Sequence, residues 1–324
     1  MRVEIFDVGH GQCAVIKSPN GRRLMVDCGA RLRDGRYWSP SLHFGGQRID
    51  VLALLNLDED HICNFGFMLT GTKIGHILSN PTVGVDELRS IKKDGMGPGA
   101  QAFASWMTHP FKAAPMPVPD FGPVRIWWYY NRFVRGMVNE TNNLSLVLFV
   151  EYAGFKLVFS GDMEKTGWHY MLRSPAFRAS LFGTNIFVAS HHGRRNGQCA
   201  ELFEWFRPEI IIISDDDKQY DSQETGDWYA QRCMGAVVVA DPTQRRYVMT
   251  TRRDGSMQID VKPDGSWTLR PIQVADWPVT PPQRSQPTSG IGLLSQFGLG
   301  YDSASSGFGL GLGKRFLQPR TGES

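Results

Sequence analysis

The sequence predicts an α/β fold, and three observations predict it. Apolar runs at 49–55, 186–189 and 209–214 are continuous enough for strands buried on both faces. Shorter runs at 3–6, 13–17 and 24–27 also have strand character, and Pro19-Asn20-Gly21 makes a hairpin turn between the last two. Helix patterns at 85–93, 101–107 and 224–234 alternate with strand runs.

The remaining elements follow in order. A short strand at 76–78 precedes the first helix, and a loop with Gly95, Gly97, Pro98 and Gly99 leads into the second. Residues 110–123 are proline-rich and expected to be irregular. Strand character resumes at 124–130, and 145–152 with 156–159 form a hairpin turning at Ala153-Gly154. Strands are expected at 236–240, 246–251, 257–261 and 266–269, with hairpin turns at Asp254-Gly255 and Asp264-Gly265 between the last three. Beyond about 271 the composition changes: Pro278, Pro281, Pro282 and Pro287 precede a Gly/Ser/Leu/Phe-rich stretch at 290–313. The sequence therefore divides into a domain at 1–270 and a flexible tail at 271–324. An inert end is favoured over docking to a protein partner through Leu293, Leu294, Phe297 and Phe308.

Composition narrows the function classes. With 324 residues, 41% hydrophobic and 21% charged, most of the chain should fold around a core. A net charge of +3 is too mild to name nucleic acid as a partner by itself. Cys13, Cys28, Cys63, Cys199 and Cys233 are scattered, odd in number and without a CxxC pair. They read as buried free thiols of a reducing compartment. The start does not read as a signal peptide, and no apolar run approaches the ~18–20 residues of a membrane span. The expectation is a cytoplasmic protein without a membrane partner.

Carboxylates and histidines recur at four strand ends. Asp27 follows the run at 24–26, Asp58, Asp60 and His61 follow 49–55, Asp162 follows 156–161, and His191 and His192 follow 186–190. Each signal alone is weak, since His-His-Gly and Gly-Asp are common at turns. Together they offer mixed oxygen and nitrogen ligation, which suits a divalent cation such as Zn²⁺ or Mn²⁺ that acidifies a water.

These residues resemble the metallo-β-lactamase superfamily, as stand-alone relatives of the hydrolase domain of ComEC-type competence proteins. Asp7-Val8-Gly9-His10-Gly11-Gln12 is similar to the family's D-V-G-x-G-D opening, and residues 24–29 to its I-L-I-D-x-G strand. Asn56-Leu57-Asp58-Glu59-Asp60-His61 is similar to H-x-[HD]-x-D-H. Asn142-Asn143-Leu144-Ser145-Leu146-Val147 is similar to N-N-x-S-L-V, Ser160-Gly161-Asp162 to T-G-D, and Ser190-His191-His192-Gly193 to H-H-G. Residues 251–255 resemble a later T-x-x-G, so the likeness runs in order from about 1 to 269.

The resemblance implies an αββα sandwich with one or two metal ions at one edge. Asp60, His61 and one histidine of the pair, assigned as His191, would hold one ion, and Asp162 would bridge to another faced by Asp58 and Asn56. Asp58, Asp60 and His192 are the catalytic candidates. Asp7, Asp27 and Asn56 are supporting positions, and Asn143, Ser145, Arg194 and Arg195 are candidates for contacting substrate. Asn56 departs from the family's histidine, Gln12 from an acidic residue, Cys63-Asn64 from Gly-Gly, and Asp221 from a His-Pro neighbourhood.

Other features receive plainer readings. His10, His43 and His76 are assigned to satisfied positions rather than extra ligands. Arg245-Arg246, Arg252-Arg253 and Lys92-Lys93 are assigned to a solvated face, and Trp127-Trp128-Tyr129-Tyr130 to packing rather than base stacking. The expected function is a metal-dependent hydrolase of phosphodiesters in nucleic acid or nucleotides. The rivals are a lactone or thioester hydrolase, and a non-catalytic binding module with a degenerate site.

Overall fold

The continuous apolar runs become central strands because both of their faces find partners. The computed structural model describes residues 1–109, 119–136, 140–218, 221–239, 241–276 and 319–321. Its first strands are β1 (Arg2–Ile5), β2 (Ala14–Lys17), β3 (Arg23–Val26), the small hairpin β4 (Arg31–Arg33) and β5 (Arg36–Trp38), β6 (Arg48–Ala53) and β7 (Lys73–Leu78). They are followed by β8 (Arg125–Tyr130), β9 (Leu146–Tyr152), β10 (Phe155–Phe159), β11 (Ile186–Val188) and β12 (Ile210–Ile213). The last are β13 (Ala236–Val238), β14 (Asp241–Arg246), β15 (Val248–Thr250), β16 (Ser256–Val261), β17 (Trp267–Ile272) and β18 (Pro319–Thr321).

One seven-stranded sheet has the order β17-β16-β1-β2-β3-β6-β7, and a second has β15-β12-β11-β10-β9-β8-β18. The period of two along each strand divides its side chains between layers. In β9, Leu146, Leu148 and Val150 join the core between the sheets with Val3, Ile5, Val51 and Ile259, while Val147 and Phe149 face outward. Outer helices cover those second faces. Phe65, Met68 and Phe103 pack on Met25, Ile49 and Leu52, while Trp168, Met171 and Phe177 pack on Val147, Val158 and Ile211. The result is the α/β/β/α layering expected from the resemblance.

Several expectations need correction. Asp254-Gly255 is not a hairpin turn, because β15 and β16 lie in different sheets. A one-turn helix, Thr251–Asp254, carries the chain across, with Thr250 Oγ1 accepting from Arg253 N at 3.1 Å. The helix expected at 224–234 is shortened to Gly226–Ala230. Past residue 270, β17 continues to Ile272, Val274 packs on the outer core, and Asp276 pairs with Arg31 at 2.7 Å. Within the expected tail, Pro319–Thr321 pairs with Trp128–Tyr130 as a parallel edge strand. Residues 110–118, and Leu293, Leu294, Phe297 and Phe308, lie outside the described residues.

Two sets of parallel strands fix where chemistry can gather. β3, β6 and β7 run parallel in one sheet, and β10, β11, β12 and β15 in the other. Their carboxyl ends open at one edge of the sandwich, where loops are free to carry polar groups.

Candidate metal centre

The loop after β6 is held by close backbone contacts. Cys28 N donates to His61 O at 2.7 Å and Gln12 N to Asp60 O at 3.3 Å. A Cβ on Gly11 or Gly29 would meet Asp60 O at 2.4 or 2.5 Å, so both glycines permit this approach. The same edge stores backbone strain. Asp27, His191 and His192 have φ of 56°, 50° and 52°, which a side chain bearing Cβ disfavours by about 1–3 kcal/mol each. Hydrogen bonds hold the pair in place: His191 N donates to Gly161 O at 3.1 Å, and His192 Nδ1 donates to Ser214 O at 2.8 Å.

Donor atoms of Asp60, His61, Asp162 and His192 converge within 4.8 Å of one another. His61 is fully buried, with Nδ1 donating to Asp27 Oδ2 at 2.8 Å and Nε2 lying 2.9 Å from Asp162 Oδ1. Asp27 in turn accepts from Leu55 N at 2.6 Å. This is a carboxylate–histidine arrangement in which one ring nitrogen is fixed and the other is presented for coordination. His192 Nε2 lies 3.1 Å from Asp60 Oδ2 and 3.5 Å from Asp162 Oδ1.

The electrostatics fit a cation. Burial lowers His192, yet the carboxylates of Asp162 and Asp60 outweigh it and push the imidazole up to about 10. Burial likewise opposes charge on His61, but Asp162, Asp27 and Asp60 drive it well above its ordinary value. Burial raises Asp60, but the facing histidines bring it down to about 2. The buried Asp162 and half-buried Asp60 carboxylates thus demand positive charge, which protonated imidazoles supply without a metal. A divalent ion coordinated by the same two oxygens and two nitrogens meets that demand, and the donor chemistry fits Zn²⁺ or Mn²⁺.

The other expected site residues have different surroundings. His191 Nδ1 lies 3.3 Å from Glu164 Oε1 and its Nε2 is 3.9 Å from Asp162 Oδ2, so His192 is the member of the pair inside the cluster. Asp58 forms an ion pair with Lys92. Asn56 Oδ1 accepts from Asp58 N at 2.8 Å, while its amide donates to Asn142 Oδ1 at 2.9 Å and Ser145 Oγ at 3.3 Å. Ser145 Oγ also accepts from Asp162 N at 3.1 Å and so ties two site loops together. Asn143 Oδ1 caps Gly167 N at 2.8 Å. Asp7 pairs with Arg31 and accepts from Gly9 N at 3.1 Å, which braces the first loop away from the cluster.

Arg194 and Arg195 diverge. Arg194 Nη2 donates to His10 Nε2 at 3.0 Å, while Arg195 Nη2 reaches Asp221 O at 3.4 Å. His10 is satisfied by the bond from Arg194 and stands outside the donor cluster, as the sequence suggests, yet its ring centroid is 4.3 Å from that of His192. Burial, together with His192 and Arg194, lowers His10 to about 4, so it is neutral at neutral pH. Lys92 and Glu164 are the other contacts that sequence reasoning missed. Glu164 follows Asp162 by two positions, a usable signal, whereas Lys92 is 34 residues from Asp58. The solvated-face reading holds for Lys93, Arg245 and Arg253, which are exposed, but not for their neighbours: Arg246 binds both oxygens of Asp254 at 2.9 and 3.0 Å, and Arg252 Nε binds Asp215 at 3.2 Å.

No protein-family model matches the chain. ComE operon protein 3 of Bacillus subtilis (strain 168) is 23% identical over 241 residues, covering 65% of this chain and 28% of that protein. Over those 241 residues the chain is similar to that protein, and its two facing sheets carry the donor cluster at their shared edge. It spans little more than a quarter of that relative's length, at 28%. Among solved structures, the metallo-β-lactamase-fold protein YhfI from Bacillus subtilis is 9% identical, with a TM-score of 0.40, covering 79% of this chain and 99% of YhfI. Zinc-bound PqqB from Methylobacterium extorquens is 12% identical, with a TM-score of 0.41, covering 81% of this chain and 100% of PqqB. Among the described residues, no helix is long and apolar enough to cross a membrane.

Proposed function

We propose that the chain is a metal-dependent hydrolase of phosphodiesters, with nucleic acid or nucleotides as the substrate class. The observation that carries this reading is the convergence of Asp60, His61, Asp162 and His192 within 4.8 Å. Such a donor set, when it holds a divalent ion, supplies Lewis acidity to an attacking water and to the scissile ester. The chain's own residues do the rest. Asp27 fixes the His61 ring, Ser145 holds the Asp162 loop, and the Ser214 carbonyl fixes the His192 tautomer. Arg194 and His10 lie beside His192, where a guanidinium favours an anionic substrate. The likeness to ComE operon protein 3, taken with the motifs that resemble competence-type hydrolase domains, favours a nucleic-acid substrate over a lactone or thioester.

The same geometry supports one ion rather than two. Asp58 and Asn56 spend their donors on Lys92, Asn142, Ser145 and the local backbone. The test is elemental analysis of the purified chain, followed by parallel assays with Zn²⁺, Mn²⁺ and Mg²⁺. Single-stranded and duplex DNA, RNA, bis-p-nitrophenyl phosphate, a lactone and a thioester serve as substrates. The expected result is one ion per central site and cleavage of phosphodiesters that Arg194→Ala weakens. Cleavage of the carbonyl substrates alone, or metal binding without any cleavage, would overturn the assignment.

A further inference from the structure

A second group of unlike donors lies outside the centre described above. His169 belongs to the helix Lys165–Leu172, and Cys199 and Glu201 lie at the start of the short helix Ala200–Glu204. Ligand atoms of all three come within 4.8 Å of one another. His169 Nε2 is 3.5 Å from Glu201 Oε1, and Cys199 Sγ is 3.3 Å from Glu201 Oε2. Bond lengths of about 2.0–2.3 Å in a tetrahedral zinc site place neighbouring donors roughly 3.3–3.7 Å apart. The two spacings to the Glu201 carboxylate, one to each of its oxygens, fall in that range, and the third pair of donors lies within 4.8 Å.

The geometry points to a second transition-metal site, for Zn²⁺ or a similar borderline cation, formed by Cys199, His169 and Glu201. Thiolate, imidazole and carboxylate are a ligand set that Zn²⁺ accepts, whereas Mg²⁺ and Ca²⁺ prefer oxygen alone. Three protein donors leave a fourth position for water. The side chains of His169 and Glu201 are each 46% exposed, which gives an ion a path in, while Cys199 supplies its sulfur from the buried side. Burial and the Glu201 carboxylate hold the Cys199 thiol up at about 12, so the ion must displace that proton to solvent as the metal–sulfur bond forms.

The position gives such an ion a structural consequence. The helix bearing His169 follows the Asp162–Glu164 loop, and the segment bearing Cys199 and Glu201 follows the strained His191–His192 turn. These two segments already meet where Asn196 Nδ2 donates to Glu164 Oε1 at 2.7 Å. An ion at Cys199 would clamp the same pair of segments a second time, stiffening two loops of the central site without touching its donors.

Cobalt titration of the full chain separates this site from the first, because the central cluster contains no sulfur. Native protein is expected to develop a thiolate-to-cobalt charge-transfer absorption in the near ultraviolet. Cys199→Ser is expected to lose that band and to bind one ion fewer by elemental analysis. His169→Gln, at a half-exposed position, is expected to weaken the band's titration by at least about tenfold. Asp60→Ala is expected to leave the band intact, so failure of the central site and failure of this one give different spectra. Absence of the band in native protein, or its survival in Cys199→Ser, would overturn the proposal.

Discussion

Asp60 and His61 on one side of the loop after β6, and Asn56 and Asp58 on the other, are similar sets of donors with opposite surroundings. The first pair turns toward Asp162 and His192, where carboxylates and imidazoles face one another, all buried except the half-buried Asp60. The second pair is consumed by the protein itself: Lys92 takes the Asp58 carboxylate, while Asn142, Ser145 and the backbone take the Asn56 amide. The six residues from Asn56 to His61 therefore divide into a half whose donors converge, the coordinating half of the proposed function, and a scaffolding half. Motif spacing alone does not distinguish donors that coordinate from donors that are already satisfied.

The largest expected effect comes from the coordinating half. Asp60→Ala or His61→Ala should abolish metal binding at the centre and with it hydrolysis, since either removes one of four protein donors. Full occupancy by elemental analysis in either variant would break the contrast between the two halves. Asp27→Asn should be milder. The His61 ring would lose its anionic partner at Nδ1, and metal affinity measured by competitive titration should fall about 10–100-fold while the fold persists.

Acidity offers a third test. In metal-free protein the His192 contribution is fully present below its ordinary 6.5 and is lost as pH rises through about 10. The Asp60 contribution has the opposite sign: it is present above 3.8 and lost as pH falls through about 2. Thermal unfolding of metal-free protein should therefore show Tm declining from pH 6.5 toward pH 10. Zinc-loaded protein, whose neutral imidazoles are ligands, should decline less, and zinc affinity should rise over the same interval. Parallel curves for the two forms would mean that these histidines do not bind the metal.

The smallest effect is expected at the scaffolding half. Asn56→His alone should leave the metal stoichiometry unchanged, because Lys92 still holds Asp58. Combined with Lys92→Met, which releases the Asp58 carboxylate, the same substitution should add measurable zinc binding. An extra ion in Asn56→His alone would show that Lys92 does not control access to that side of the loop.

The sequence by itself determined the α/β class, most strand positions and the short stretches that carry the chemistry. Buried strands leave apolar runs, and loops at their carboxyl ends leave clustered Asp and His, so both are local patterns. Only the tertiary structure decided which member of the His191–His192 pair enters the cluster, because two successive left-handed residues set the directions of both rings. It also decided that Asp254-Gly255 changes sheets rather than reversing a hairpin, and that His10 lies against His192. The pairing of Asp58 with Lys92 belongs to the same class. It joins a loop to the end of a helix 34 residues away, and such contacts depend on how layers pack rather than on the order of residues along either segment.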